Sequence, residues 1–409
     1  MSSFRACWVF SAFLFGGMCN SAAAQSSLGT FVALGDSLSA GFQNFSLYTS
    51  STGPEGTPPG GQEYGYAALI ARQAGADLQL PTISYPGIPP VLTGDLSDPS
   101  TIMRGQIVGQ RVNVDQQTLN LSVPGYAVAD TLARVINLST LETNPIDALA
   151  VNVLAFPGAI NSTPPCGALP PSREYPFPPY LTISSALCAV ELRPSTILLS
   201  IGSNNALQAL TFGVPPTNAA KFAADYAILL AGLSTTRAHI VLSNIADVTA
   251  IPLVRTVNQF ERECGFTPQD ARPSDYVVPN LADPTKFSGY VCFNYVVRTA
   301  SLVQQARTAV TEYNAAIALE AAAAHAIVVD LHGLFARLAR TGYQVNGRTL
   351  TTGFGGGLFS LDGEHPTNTG YAIAANEFIN TINQKLHTAI PLVSVEEVAA
   401  SDPLLPPVR

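Results

Sequence analysis

Charge is scarce in this chain. Only 12% of its 409 residues are Asp, Glu, Lys or Arg, and 20 basic side chains face 28 acidic ones. A net charge of −8 offers no basic surface to a phosphate backbone, which argues against nucleic-acid partners and anionic membranes. Histidine is also rare, at 5 residues, and no Cys-x-x-Cys pair occurs. Standard zinc sets and dithiol redox motifs need those spacings, so neither a metal nor a cofactor is expected. After the N-terminus, no apolar run reaches the ~18–20 residues of a membrane helix, and no transmembrane segment is expected in the mature chain. What is abundant is apolar mass, at 47%, together with 32 Gly and 31 Pro. That composition suits one large or two modest domains with many ordered loops.

The N-terminus reads as a leader. Arg5 supplies one positive charge, Cys7 to Met18 is apolar, and Ala22-Ala23-Ala24 precedes Gln25. This order predicts a secretory signal peptide over 1–24 and export to the periplasm or the extracellular space. A lipid anchor on Cys19 is disfavoured by bulky Met18 before it. Cys166, Cys188, Cys264 and Cys292 remain, and in an exported chain they predict two disulfides. Sequential pairing, Cys166–Cys188 and Cys264–Cys292, would staple two loops.

Continuous apolar runs rich in β-branched residues predict buried strands at Thr30–Leu34, Thr118–Ser122, Thr196–Ile201, His239–Ser243 and Ala326–Asp330. Such runs suit a parallel sheet covered on both faces. Helical patterns occupy Tyr64–Ala74, Ala129–Asn137, Asn218–Leu233, Thr299–His325 and Tyr371–Leu386. The alternation predicts a doubly wound α/β domain over 25–389, with ligands bound beyond the carboxyl ends of the strands. Loop insertions are expected at about 41–62, 81–115, 152–190 and 251–291, as binding walls or as covers for sheet edges. A Pro- and Val-rich tail over 390–409 either wraps the surface or stays loose.

The chemistry concentrates at strand ends. Gly35-Asp36-Ser37-Leu38 follows the first strand, and such a tetrapeptide alone is also an ordinary capped turn. Near the C-terminus, Asp362-x-x-His365-Pro366 precedes a helix. A carboxylate three residues from an imidazole can accept its Nδ1–H and leave Nε2 to take a serine proton. Gly125, after Asn120-Leu-Ser-Val-Pro, and Asn204, in Gly202-Ser-Asn204-Asn205, can supply oxyanion donors from two further strand ends. Asp330-Leu-His332 is a weaker acid–base pair, best read as structure or rim, and a metal set from His325, Asp330 and His332 lacks a standard spacing. Asp36 is expected to hold its turn, and Asp247 to shape the rim.

Together these four blocks resemble the SGNH (GDSL) hydrolase family, in order, from about Phe31 to Ile379. The stretch Tyr64-Gly65-Tyr66-Ala67-Ala68-Leu69 also resembles the first helix of its longer secreted members. The resemblance implies a flavodoxin-like three-layer sandwich and a GDSL-type lipase or esterase working through an acyl-enzyme. It implies Ser37 as nucleophile, His365 as base and Asp362 as its orienting acid. Oxyanion donors would be the backbone N–H groups of Ser37 and Gly125 and the side chain of Asn204. One position departs: Asn205 stands where the family often has an acid.

Low charge and the aromatics Tyr175, Phe177 and Tyr180 favour a small-molecule or lipid ester, of long or short acyl chain, over a charged substrate. A carbohydrate acetylesterase of the same fold, and an exported binding protein without turnover, are the alternatives.

Overall fold

The first strand sets the frame. In a computed structural model that describes residues 27–96, 98–154, 180–280, 292 and 294–408, Phe31–Gly35 forms β1, buried along its whole length. Three more strands extend the sheet, all parallel: β2 (Thr196–Ser200), β3 (His239–Ser243) and β4 (Ile327–Val329), in the order β1-β2-β3-β4. Val32 pairs with Ile197, which pairs with Ile240. Side chains alternate across the pleat. Val32, Leu34, Ile197, Leu199, Ile240 and Leu242 enter one core, and Phe31, Ala33, Leu198, Val241 and Val329 enter the other. Each of the Val, Leu, Ile and Phe side chains among them, fully buried, contributes about 1.5–3 kcal/mol.

Helices cover both faces. One turn, α1 (Ser37–Ala40), follows β1, and α2 (Tyr66–Ala74), α3 (Ser203–Thr211) and α4 (Ala219–Ser234) come next among those used below. Then follow α5 (Ala300–Ala323), α6 (Leu331–Thr341), α7 (Asn368–Leu386) and α8 (Val395–Ser401). The apolar stripe Phe222, Tyr226, Leu229 and Leu230 of α4 is buried, and Phe222 stacks on Tyr313 of α5 at 4.0 Å. On the opposite face Tyr66 of α2 stacks on Phe378 of α7 at 4.9 Å. This is the three-layer α/β architecture expected from the alternation.

Two expected elements differ. Thr118–Ser122 is not a regular strand, although it runs beside β1: Ala33 donates to Leu119, and Leu121 and Val123 donate to Ala33 and Gly35. Regular pairing is confined to one bridge, between Ala33 and Asn120, and the Asn120 side chain donates to Ser39 O and accepts from Ser122 N. Counting this segment, the chain order across the sheet is 2-1-3-4-5, the flavodoxin-like arrangement. The expected helix Ala129–Asn137 is only Val128–Leu132. Arg134–Asn137 then pairs antiparallel with Tyr180–Ile183, as β-branched Val135 and Ile136 suit a strand. Arg134 pins this corner between Asp130 and Asp147.

The tail is docked. Val393, Val395 and Ala399 are buried against the second core, and Asp402 accepts from both Thr369 N and Thr369 Oγ1. The loops at 81–115 and 251–291 meet in a third cluster of Leu92, Ile102, Val257, Phe260, Val277 and Leu361. Leu361 is next to Asp362, so both loops support the turn that carries His365. Cys264 and Cys292 are joined, with 5.4 Å between Cα atoms. Cys188 is buried in Ser185–Glu191 and disulfide-bonded, while Cys166, Tyr175, Phe177 and Met1–Ala24 lie outside the described residues. Among the described residues, no helix is long and apolar enough to cross a membrane.

Candidate active site

Ser37 stands where β1 ends. Gly35 passes so close to β2 that a Cβ there would lie 2.0 Å from Ser200 O, so only glycine fits. Asp36 then caps the turn, its Oδ1 accepting from Leu38 N at 3.1 Å, as expected of a turn-holding acid. Its other oxygen has no hydrogen-bond partner among the described residues. Burial pushes the Asp36 carboxyl up to about 7, against the Leu38 hydrogen bond and the His365 charge.

The other strand ends converge on the same rim. Gly125 has φ +85°, and a Cβ there would meet Ile146 at 2.9 Å. Asn204 opens α3, and its amide donates to Tyr126 O at 2.9 Å. That bond ties the segment carrying Gly125 to α3 and leaves the second amide hydrogen of Asn204 to donate. Asn205 accepts from Val128 N and donates to Thr217 Oγ1. An amide performs both tasks at once, which accounts for its standing where an acid is often found.

Asp362 and His365 form one tight turn. Ser360 N donates to His365 O, and Gly363 N to Ser360 O. Asp362 Oδ1 accepts from Glu364 N and His365 N, both at 2.8 Å. Its Oδ2 accepts from Phe45 N at 2.6 Å and from His365 Nδ1 at 3.0 Å. Burial opposes ionisation of Asp362, but the facing His365 charge and these N–H donors outweigh it and hold the carboxyl below its ordinary value. For His365, burial disfavours the charged ring, while Asp362 and then Glu364 favour it; the imidazole rises to about 9. Its Nε2 makes no hydrogen bond among the described residues, and Glu364 Oε1 is 3.5 Å away. Asp362 and His365 are thus joined, whereas Ser37 and His365 are not hydrogen-bonded. A nucleophile–base contact that tightens only around substrate is common.

The loop after α1 carries residues that the motifs do not reveal. Phe42 lays its ring edge against His365 at 4.9 Å. Asn44 and Phe45 both adopt left-handed backbone, with φ +52° and +56°, at a cost of roughly 1–2 kcal/mol each. That conformation aims Phe45 N at Asp362. Asn44 N donates to Ser360 Oγ and its side chain accepts from Leu361 N. Asparagine's tolerance of this region is the only signal the sequence gives.

Ser37, Leu38, Asn204 and Glu364 open on one cleft of about 190 Å³, whose other walls include Leu207, Val248, Ile251, Phe335, Ala336 and Phe359. His332 and Asp247 also reach it. The pair Asp330/His332 is not an acid–base dyad: Asp330 caps α6 through Gly333 N and accepts from Asn244, and His332 Nδ1 meets Ile245 O. Asp247 accepts from Thr249 N and Oγ1.

A family model described as GDSL-like Lipase/Acylhydrolase matches residues 31–378. Comparison with curated proteins finds no match. Among solved structures, an acetylxylan esterase (Axe2) from Geobacillus stearothermophilus is 12% identical, with 87% of this chain and 94% of that one covered and a TM-score of 0.38. A lipase/acylhydrolase from Enterococcus faecalis is 12% identical, covering 87% and 96%, at 0.35. An extracellular lipase from Streptomyces rimosus is 15% identical, covering 86% and 98%, at 0.33.

Proposed function

The chain belongs to the GDSL-like Lipase/Acylhydrolase family and is a carboxylic ester hydrolase; from that premise we propose that Ser37 is its nucleophile, His365 its base and Asp362 the acid that orients the base. The observation that carries this is the Asp362–His365 hydrogen bond: with Nδ1 donating to Asp362, Nε2 is the ring atom left to take the serine proton, on a turn whose Glu364 and Pro366 line the cleft that Ser37 enters. Ser37 Oγ attacks the ester carbonyl and His365 takes its proton, then gives it to the leaving alcohol. Water, deprotonated by the same imidazole, attacks the acyl-enzyme; the bond to Ser37 Oγ breaks, the imidazolium returns the proton to that oxygen, and the acid leaves. Backbone N–H groups of Ser37 and Gly125 and the free amide hydrogen of Asn204 receive the oxyanion, each worth about 2.7–4 kcal/mol.

The substrate we infer is an uncharged ester with an aliphatic acyl chain longer than acetyl. Leu207, Val248, Ile251, Phe335 and Phe359 give the cleft an apolar wall, which favours such a chain over a sugar-borne acetyl group. The protein acts outside the cytoplasm, a reading supported by the leader-like sequence pattern of residues 1–24 and by the Cys264–Cys292 bridge. Hydrolysis of p-nitrophenyl esters from acetyl to dodecanoyl tests the substrate. The expected kcat/KM rises beyond butyryl, and a maximum at acetyl would transfer the assignment to a carbohydrate acetylesterase. Ser37→Ala and His365→Ala are each expected to lower kcat by about 10³-fold or more. Full activity in either variant would remove the assignment.

A further inference from the structure

Three carboxylates act on one imidazole, two of them in contact with it. Asp362 holds Nδ1 at 3.0 Å, Glu364 Oε1 lies 3.5 Å from Nε2, and Asp36 acts on the ring from the turn after β1. Glu364 differs from the other two because it faces the atom that must accept the serine proton. Its side chain is 14% exposed, and it lines the cleft with Ser37 and Asn204. Its backbone is fixed, because Glu364 N donates to Asp362 Oδ1 at 2.8 Å.

We propose that Glu364 is a positioning residue whose carboxylate competes with Ser37 Oγ for His365 Nε2 and thereby suppresses hydrolysis at neutral pH. The proposal rests on the Ser37–His365 reading above. An imidazolium whose Nε2–H is turned toward Glu364 cannot take a proton from Ser37. Deprotonation of the ring at alkaline pH ends the attraction and returns Nε2 to the serine. The groups around Glu364 are His365 and Asp362 on its own turn, Asp36 after β1 and Tyr371 on α7, with Asp247 and His332 on the other cleft walls. Burial, set against the His365 charge, pushes the Glu364 carboxyl itself upward, and Glu364 follows Asp362 in raising His365 to about 9.

The test is the pH dependence of kcat/KM for wild type and Glu364→Gln, measured with an octanoyl ester on the full protein. Unit charges at this separation interact enough, even at the dielectric constant of water, to move a pKa by about 1 unit. The acidic limb is therefore expected to move down by about 1 pH unit or more in the variant. Near neutral pH the variant should be about tenfold faster, with both curves meeting at the alkaline end. An unmoved limb, or uniform loss at every pH, would overturn the proposal.

NMR titration of the His365 ring gives a readout that needs no turnover. In a Ser37→Ala background, adding Glu364→Gln should lower the ring pKa, and an unchanged value counts against the role. Glu364→Ser serves if the glutamine variant does not fold, with the same expected direction. Wild-type rates in Ser37→Ala and His365→Ala would defeat the catalytic assignment. Loss of activity in those two with an unmoved Glu364→Gln limb would defeat only the part given to Glu364.

Discussion

Replacing Asp362 with asparagine separates an oriented imidazole from one that is merely nearby. The carboxylate accepts hydrogen bonds from Glu364 N, His365 N, Phe45 N and His365 Nδ1. An amide has one acceptor oxygen and one donor nitrogen. With the oxygen at the Oδ1 position, the NH2 faces Phe45 N–H and forces His365 to carry its proton on Nε2, which removes the base. With the oxygen at Oδ2, the NH2 faces the two backbone N–H groups of Glu364 and His365. Either orientation strands one or two buried donors at about 1–3 kcal/mol each, so a stability loss of roughly 1–6 kcal/mol is expected in urea melts. The wrong tautomer is expected to lower kcat by about 10⁴-fold, or about 5.5 kcal/mol in the barrier. Initial rates on an octanoyl ester, paired with a melt to set the folded fraction, measure both effects. A variant that stays folded and within tenfold of wild-type kcat would refute the orientation argument.

Other consequences follow from the same geometry. Asp36 has its carboxyl raised by burial to about 7. The unfolded chain therefore ionises first, and stability falls as pH rises from about 4 to 7. Asp36→Asn keeps the cap and is expected to match wild type at pH 4 but to be more stable above pH 7, by on the order of 2–4 kcal/mol in denaturant titrations. Gly125→Ala strains a φ of +85° and drives a Cβ toward Ile146. It should cost about 10²-fold or more in kcat through a displaced oxyanion donor, with KM little changed. Removing the Cys264–Cys292 bridge with paired serines, across a separation of 28 residues, should cost roughly 3–4 kcal/mol of stability by loop entropy. Ile251→Trp should fill the cleft and lower kcat/KM for dodecanoyl far more than for acetyl esters.

The sheet was legible because parallel strands buried on both faces must be apolar throughout, and the runs TILLSI and HIVLS have no other reading as compact. Thr118–Ser122 follows the same pattern and does run beside β1, but it pairs there through a single bridge at Ala33–Asn120, a difference that periodicity does not encode. Likewise Arg134–Asn137 continues a helical pattern until Arg134 is fixed between two acids and the next residues pair with a partner from a distant insertion. At the candidate site, Ser37, Gly125 and Asn204 are picked out by short motifs after strand-like segments, and Asp362 and His365 by a short spacing before a helix. Phe42, Asn44 and Phe45 do not, since their contacts with the Asp362 turn cross more than 300 positions of sequence, as the Phe45–Asp362 separation of 317 illustrates. Glu364 is visible in the motif but silent there, because its place between the cleft and Nε2 exists only once the turn is folded.

A fluorophosphonate probe reports whether Ser37 is a nucleophile activated by His365. Mass spectrometry of the labelled wild-type protein is predicted to place one adduct on the peptide containing Ser37, with labelling lost in Ser37→Ala and strongly slowed in His365→Ala. A folded wild-type protein that takes no label, or an adduct that persists at another serine when Ser37 is replaced, would contradict that role.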